Sequence, residues 1–258
     1  MKNAHWTKEE TILALALYCK IPFGKINKFH PQVIELSRLI GRTPAAVSMK
    51  MGNFGRFDPE LSARGVVGLS HGSHLDKEVW DEYYQNMEEL FDRTSTFTGA
   101  SEVIISDEEL QLPVGETRMT LSKSRKGQAF FRSTVLSAYN NTCCITGIAI
   151  PALLQACHIK SWTDSDPITE RTNPINGLSL NKLHHAAFDE GILTIDTDYR
   201  ILISKTAKDK YSNEAFNENF LKYEGKLITL PERFLPSKEM IDYSIHHRFC
   251  WWGEIACV

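Results

Sequence analysis

Through residues 1–92 the apolar positions recur at helical spacing. In WTKEETILALALYCK, Thr7 stands three positions before Glu10, a capping-box pair directly ahead of an apolar run, and predicts a first helix. HPQVIELSRLIG predicts a second, with Pro31 suited to the first helical position and Gly41 to the stop. RTPAAVSMKMGNF predicts a third short helix, which Thr43 can cap and Pro44 can start. In LDKEVWDEYYQNMEELF, the residues Leu75, Val79, Trp80, Tyr83, Met87 and Leu90 keep helical spacing and predict one longer amphipathic helix. Residues 93–124 lose that period and gain Ser, Thr and Gly, the mark of a linker, part of which could dock as a strand. From Lys126 the pattern mixes both periods, and LTIDTDYRILIS alternates around a turn as a β-hairpin does. The expected organisation is a helical domain over 1–92, a linker over 93–124 and a mixed domain over 125–258 with its core at 140–205. The fold class is α+β. No internal repeat or low-complexity tract changes this picture.

Composition narrows the classes. A chain of 258 residues can bury a real core in one large or two small domains. A net charge of −3 excludes a chain-wide basic field, so any contact with nucleic acid must come from local clusters. The six cysteines (Cys19, Cys143, Cys144, Cys157, Cys250 and Cys257) form no C-x-x-C pair, and the adjacent Cys143 and Cys144 suit neither a disulfide framework nor a zinc knuckle. A reduced, cytoplasmic compartment is expected. MKNAHWTKEE is charged, unlike a signal peptide, and no apolar run reaches the ~20 residues of a membrane span, so no membrane partner is expected.

Trp6, the acids after it, and then the pattern L-x-x-L-I-G-R-T-P-A-A-V resemble the Myb/SANT-like helix-turn-helix over residues 5–54. The resemblance implies a third helix lying in the major groove of double-stranded DNA. That helix would offer Ser48, Lys50 and Asn53, flanked by Arg42 and Arg56. Arg and Lys can contact phosphates, and Asn can read adenine edges. The competing reading is a small helical scaffold for protein contacts. Trp6, Leu13 and Leu17 are expected in the core.

The candidate chemistry lies downstream. His158, in QACHIKSW, sits in an apolar run that reads as a strand, and alone it reads as core. Asn176 follows eighteen residues later in NPINGLSL, and His185 nine further on in NKLHHAAFDEG. Asp189 lies four residues beyond His185, on the same face of a helix that Gly191 can stop. An imidazole and a carboxylate so placed can share one divalent ion. Phosphodiester hydrolysis needs such a set: a base that titrates near neutrality, an ion for the developing charge, and a loop residue that fixes geometry.

GQAFFRSTVLSAYNNTCCITG, LLQACHIKSW and NPINGLSLNKLHHAAFDEGILTID together resemble bacterial HNH endonucleases of the predicted restriction type over residues 125–205, and weakly to the end. The resemblance implies a ββα-metal domain behind a helical, helix-turn-helix-like one. It makes His158 the general base, Asn176 the middle signature residue, and His185 with Asp189 the metal-side pair. His184 is a neighbour that could compete for a role. Arg125 and Arg132 fall in the opening of the motif, where they would touch DNA phosphate or brace the site. Many such nucleases carry Asp or His directly before the base, whereas this chain has Cys157. The ligand set is then smaller, or the ion softer, or Cys157 simply packs, the reading preferred here. Paired C-x-x-C zinc ribbons are absent, so the core must replace them. Asp164, Asp166 and Glu170 read as a solvated acidic loop, His246 and His247 as surface or interface residues, and Trp251 and Trp252 as packed on the core or on a second subunit.

The function expected is a metal-dependent endonuclease cutting duplex DNA, serving in restriction or defence against foreign DNA, modified DNA included. Mg²⁺ is the expected ion, with Mn²⁺, Ni²⁺ and Zn²⁺ as alternatives, and a homodimer is expected because one site cuts one strand. Two rivals stand beside it. One is a DNA-binding regulator with an inert nuclease half; the other is a defence effector activated by a partner or signal.

Overall fold

A computed structural model describes residues 5–66, 73–84, 86–95 and 118–249, with backbone alone over 118–125. The middle of the expected linker, the Arg125 side chain, Trp251 and Trp252 lie outside the described residues. The chain divides into two compact units, residues 1–138 with 166–173, and residues 139–165 with 174–258.

The first unit is helical. Its elements are α1 (Lys8–Lys20), α2 (Pro31–Ile40), α3 (Pro44–Phe54), α4 (Pro59–Ala63), α5 (His74–Tyr83), α6 (Met87–Ser95) and α7 (Arg118–Ala138). Thr7 and Glu10 close the expected capping box at the start of α1. The run TILALALYC has no polar face, and α1 is accordingly central, packed by α2, α3, α5, α6 and α7. Pro44 starts α3, whose first turn is capped by Thr43, and Gly41 ends α2 in the left-handed conformation at φ +70°, which a side chain would disfavour.

The single helix expected over 75–91 is two. α5 ends at Tyr83, and the chain restarts at Asn86, whose carbonyl accepts from Leu90 N (3.0 Å) and whose side chain accepts from Glu89 N (3.3 Å). Asn competes with the helical backbone for hydrogen bonds and so favours such restarts. The apolar face survives the break, since Val79, Trp80, Tyr83, Met87 and Leu90 are all buried. Helix α7 runs across the expected boundary at 124 and groups with this unit through Phe130, whose ring centroid lies 5.8 Å from that of Phe91.

Two cations of the α2–α3 segment are interior. Arg42 is 8% exposed and donates to Glu10 Oε2 through Nε (3.0 Å) and Nη2 (2.7 Å). Lys50 is 5% exposed and pairs with Asp76, which is fully buried. The Trp6 ring supports both, 4.4 Å from Arg42 Cζ and 4.7 Å from Lys50 Nζ. Asp76 also accepts from Ser73 N (3.0 Å) and Asn53 Nδ2 (3.2 Å). Removing one member of a buried pair strands the other charge. Asp76→Ala is therefore expected to destabilise this unit by about 3–5 kcal/mol in chemical denaturation, and Lys50→Met on that background to restore part of the loss.

The second unit holds β1 (Leu154–His158), β2 (Gly177–Asn181), α8 (Lys182–Asp189), β3 (Leu193–Ile195), β4 (Ile201–Ile203), α9 (Lys205–Tyr211), α10 (Glu214–Asn219) and α11 (Lys238–Ser244). A π-helical turn, Ile245–Phe249, continues α11. β1 and β2 are antiparallel, with Leu154 opposite Asn181 and His158 opposite Gly177. β2 runs straight into α8, giving a ββα unit. β3 and β4 form the expected hairpin, Leu193 opposite Ile203, and Asp196 Oδ1 orders its turn by accepting from Asp198 N (2.9 Å) and Arg200 N (2.8 Å). No described helix is long and apolar enough to cross a membrane.

Candidate active site

The site is built where β1 ends and α8 lies against it. Cys157 and His158 are the last two residues of β1. His158, at the last position, meets Trp162 edge to face, with ring centroids 5.7 Å apart. Cys157 is fully buried.

Asn176 is fully buried in the turn Pro174–Asn176 just before β2. Its Oδ1 accepts from Lys160 N (2.8 Å), and its Nδ2 donates to Lys160 O (3.1 Å) and Ser165 Oγ (3.1 Å). Its carbonyl accepts from Ile159 N (2.9 Å). These bonds clamp the chain leaving β1, directly beyond His158. Within the same loop Ser161 Oγ donates to Asp164 (2.7 Å), and Asp166 Oδ1 accepts from Ile168 N and Thr169 N, so these acids cap local turns.

Asn181 caps α8, accepting from His184 N (2.9 Å), and Gly191 follows the helix at φ +66°. Between these ends His185 and Asp189 lie one turn apart, with Nε2 3.4 Å from Oδ2. The donor atoms of Cys157, His185 and Asp189 all lie within 4.8 Å of one another, a separation that one ion can bridge. Burial, and after it the Asp189 charge, pushes the Cys157 thiol well above its usual range, with Arg248 opposing. At neutral pH it is a protonated thiol against the pair, a poor donor to a hard ion.

Both ring nitrogens of His184 are engaged elsewhere. Its Nε2 donates to Asn219 O (2.8 Å), and its Nδ1 accepts from Asn181 Nδ2 (2.9 Å). Edge-on rings of Phe220 and Tyr223 enclose it. It also bonds the Cys143 thiol; burial pushes that thiol up, but the bonds to His184 and Thr146 outweigh burial and bring it to about 7.

Two residues emerge that the motif did not single out as functional. Cys157 enters the donor cluster, and only strand alternation could have turned it toward α8. Arg248, on the π-helical turn, donates through Nη1 to His158 O (3.2 Å) and Asp189 Oδ1 (3.3 Å). Among the other sequence candidates, Ser48 and Asn53 are half-buried and Arg56 is exposed on the first unit, while Arg132 is half-buried on α7 of that unit. His246 and His247 are exposed, bonded to the carbonyls of Asp242 and Tyr243.

A strand histidine, an antiparallel partner strand and a helix bearing an imidazole–carboxylate pair thus form one ββα unit with a candidate metal site. The model of the HNH endonuclease family matches residues 143–196, which hold both strands, the Asn176 loop, α8 and β3, and this supports an HNH nuclease. No curated protein matches the chain.

Proposed function

We propose that this chain is a metal-dependent endonuclease that hydrolyses phosphodiester bonds in duplex DNA and serves in restriction or defence. The observation that carries the reading is the grouping of the Cys157, His185 and Asp189 donor atoms within 4.8 Å of one another on a ββα unit whose first strand ends at His158. His185 and Asp189 would hold the divalent ion, with Mg²⁺ or Mn²⁺ favoured by the carboxylate and Zn²⁺ or Ni²⁺ by a thiol that loses its proton. Such an ion supplies charge neutralisation at the scissile phosphate and the leaving 3′ oxygen. His158 takes the proton of the attacking water, leaving a 5′ phosphate and a 3′ hydroxyl. Asn176 keeps the end of β1 rigid, so that the imidazole meets the phosphate in one geometry. One site cuts one strand, so double-strand cleavage calls for a homodimer.

In this reading the helices of residues 1–92 dock on DNA and the second unit, residues 139–165 with 174–258, cuts it. Ser48, Asn53 and Arg56 are the DNA contacts of the third helix, with Arg125 and Arg132 contacting phosphate. Arg42 and Lys50, neutralised by Glu10 and Asp76, hold that helix in place instead.

A second reading draws on one observation. The exposed positions of α3 are Ala45 and Met49, the latter 60% exposed, and its one cation, Lys50, is buried. Such a face suits a protein contact, and the chain would then be an effector nuclease released by a partner. Supercoiled plasmid incubated with the purified chain and Mg²⁺, Mn²⁺ or EDTA separates the two. Metal-dependent nicking without any added factor is expected, and methylated and unmethylated plasmids read the preference for modification. Tight metal binding with no nicking would favour the triggered effector.

A further inference from the structure

The reading of His158, His185 and Asp189 leaves Arg248 unexplained, although Arg248 touches two of the three. We propose that Arg248 is a positioning residue of the nuclease site, clamping the Asp189 carboxylate to the main chain at His158. The inference rests on the metal-nuclease reading above.

The geometry is specific. One nitrogen, Nη1, bonds both His158 O (3.2 Å) and Asp189 Oδ1 (3.3 Å). The other carboxylate oxygen, Oδ2, is the one 3.4 Å from His185 Nε2. The guanidinium thus occupies one oxygen and leaves the second turned toward the imidazole. Both ends of the clamp belong to the site: the carbonyl at the close of β1 and the carboxylate at the close of α8. Arg248 Cζ also lies 5.6 Å from the Phe188 ring centroid, so the residue before Asp189 supports the fork.

An ion pair at a surface contributes little, and Asp189 is partly exposed. Three features distinguish this one. The Arg248 side chain is only 22% exposed. The turn that carries it is fixed on both sides by buried Ile245 and Phe249 and packs against β3. The start of α11 hangs on the site as well, because Ser237 N donates to Ile175 O (2.9 Å), next to Asn176, and Lys160 Nζ lies 5.0 Å from the Tyr243 ring. The segment from Ser237 to Phe249 is therefore a brace along the site. Groups that orient metal ligands typically change metal affinity or activity by about 10–100-fold when removed.

The test compares the full chain with Arg248→Ala and Arg248→Lys. Mn²⁺ affinity is read by calorimetry without DNA, and nicking at saturating Mn²⁺ is resolved into kcat and KM. Arg248→Ala is expected to bind Mn²⁺ about 10-fold more weakly or worse and to lose about 10–100-fold in kcat, with KM for DNA changed little. Arg248→Lys, which keeps a charged donor, is expected to recover part of both, as is millimolar guanidinium added to Arg248→Ala. Unchanged Mn²⁺ affinity and kcat in Arg248→Ala would overturn the proposal. Tighter Mn²⁺ binding would also overturn it, by making Arg248 a competitor of the ion, and a rise in KM alone would make it a DNA contact. If Arg248→Ala fails to fold, Arg248→Lys decides by the same readouts. If the wild-type chain binds no Mn²⁺, the metal reading itself fails and the clamp with it. If it binds Mn²⁺ but cuts nothing, the affinities still decide the clamp.

Discussion

His158→Ala is expected to lose plasmid nicking by about 10²–10⁴-fold while its fold and its affinity for Mn²⁺ stay close to those of the wild type. The separation follows from the architecture. The metal-side donors are those of Cys157, His185 and Asp189, and removal of the His158 imidazole takes none of them away. The bonds that anchor the end of β1 use the main chain at 158–160 and the Asn176 side chain, none of which the substitution removes. The substitution also removes the edge-to-face contact with the ring of Trp162, which is half-buried. Added imidazole is expected to restore part of the rate to His158→Ala. In His185→Ala it is expected to restore nothing, because there the ion is lost as well. Nicking that persists at the wild-type rate in His158→Ala would assign the base elsewhere.

The parts of the site legible in the sequence were those fixed by local chemistry. His185 and Asp189 share a face because four residues make one helical turn, and the helix ends where Gly191 accepts a positive φ. Asn176 was readable as a loop residue bonding backbone, because its amide carries both donor and acceptor. The hairpin at 193–203 followed from alternation alone. What stayed hidden depends on partners far along the chain. Arg248 is 59 residues from Asp189, in a segment whose two adjacent histidines draw attention away from it. Cys157 looked like packing because it is packing; its second character comes from α8 lying across β1.

The same limit governs the helical unit. Lys50 and Arg42 sit where a reading of the third helix wants DNA contacts, yet Asp76 and Glu10, 26 and 32 residues away, draw them inside. Helical period alone does not separate a solvated cation from one that bridges two helices. Nor did it reveal the break at Asn86, because the buried positions resume in phase on the far side. The capping box at Thr7 and Glu10 formed as expected, but Glu10 serves twice, bonding Thr7 N (3.0 Å) and Arg42.

Asn176→Ala is expected to remove about 2–4 kcal/mol of stability from the second unit and most of the nicking activity with it. The side chain is fully buried and bonds the main chain of Lys160 through both its oxygen and its nitrogen, and Ser165 Oγ through the nitrogen. Alanine takes the acceptor from Lys160 N and one donor each from the Lys160 carbonyl and Ser165 Oγ, which keep the bonds that the Ser165 hydroxyl donates to Lys160 O (3.0 Å) and Ser161 O (2.7 Å). Asn176→Asp separates hydrogen bonding from shape. Aspartate keeps the acceptor for Lys160 N but places an acceptor where Nδ2 now faces the Lys160 carbonyl at 3.1 Å. Equal volume then brings no recovery, and Asn176→Asp is expected to be as unstable as Asn176→Ala above the carboxylate range. On acidification the protonated carboxyl can donate to that carbonyl, so the Asp variant is expected to regain stability relative to Ala as pH falls. Denaturation midpoints of both variants across pH measure this. If the Asp variant keeps wild-type stability at neutral pH, the main chain at Lys160 is held by something other than the Asn176 amide.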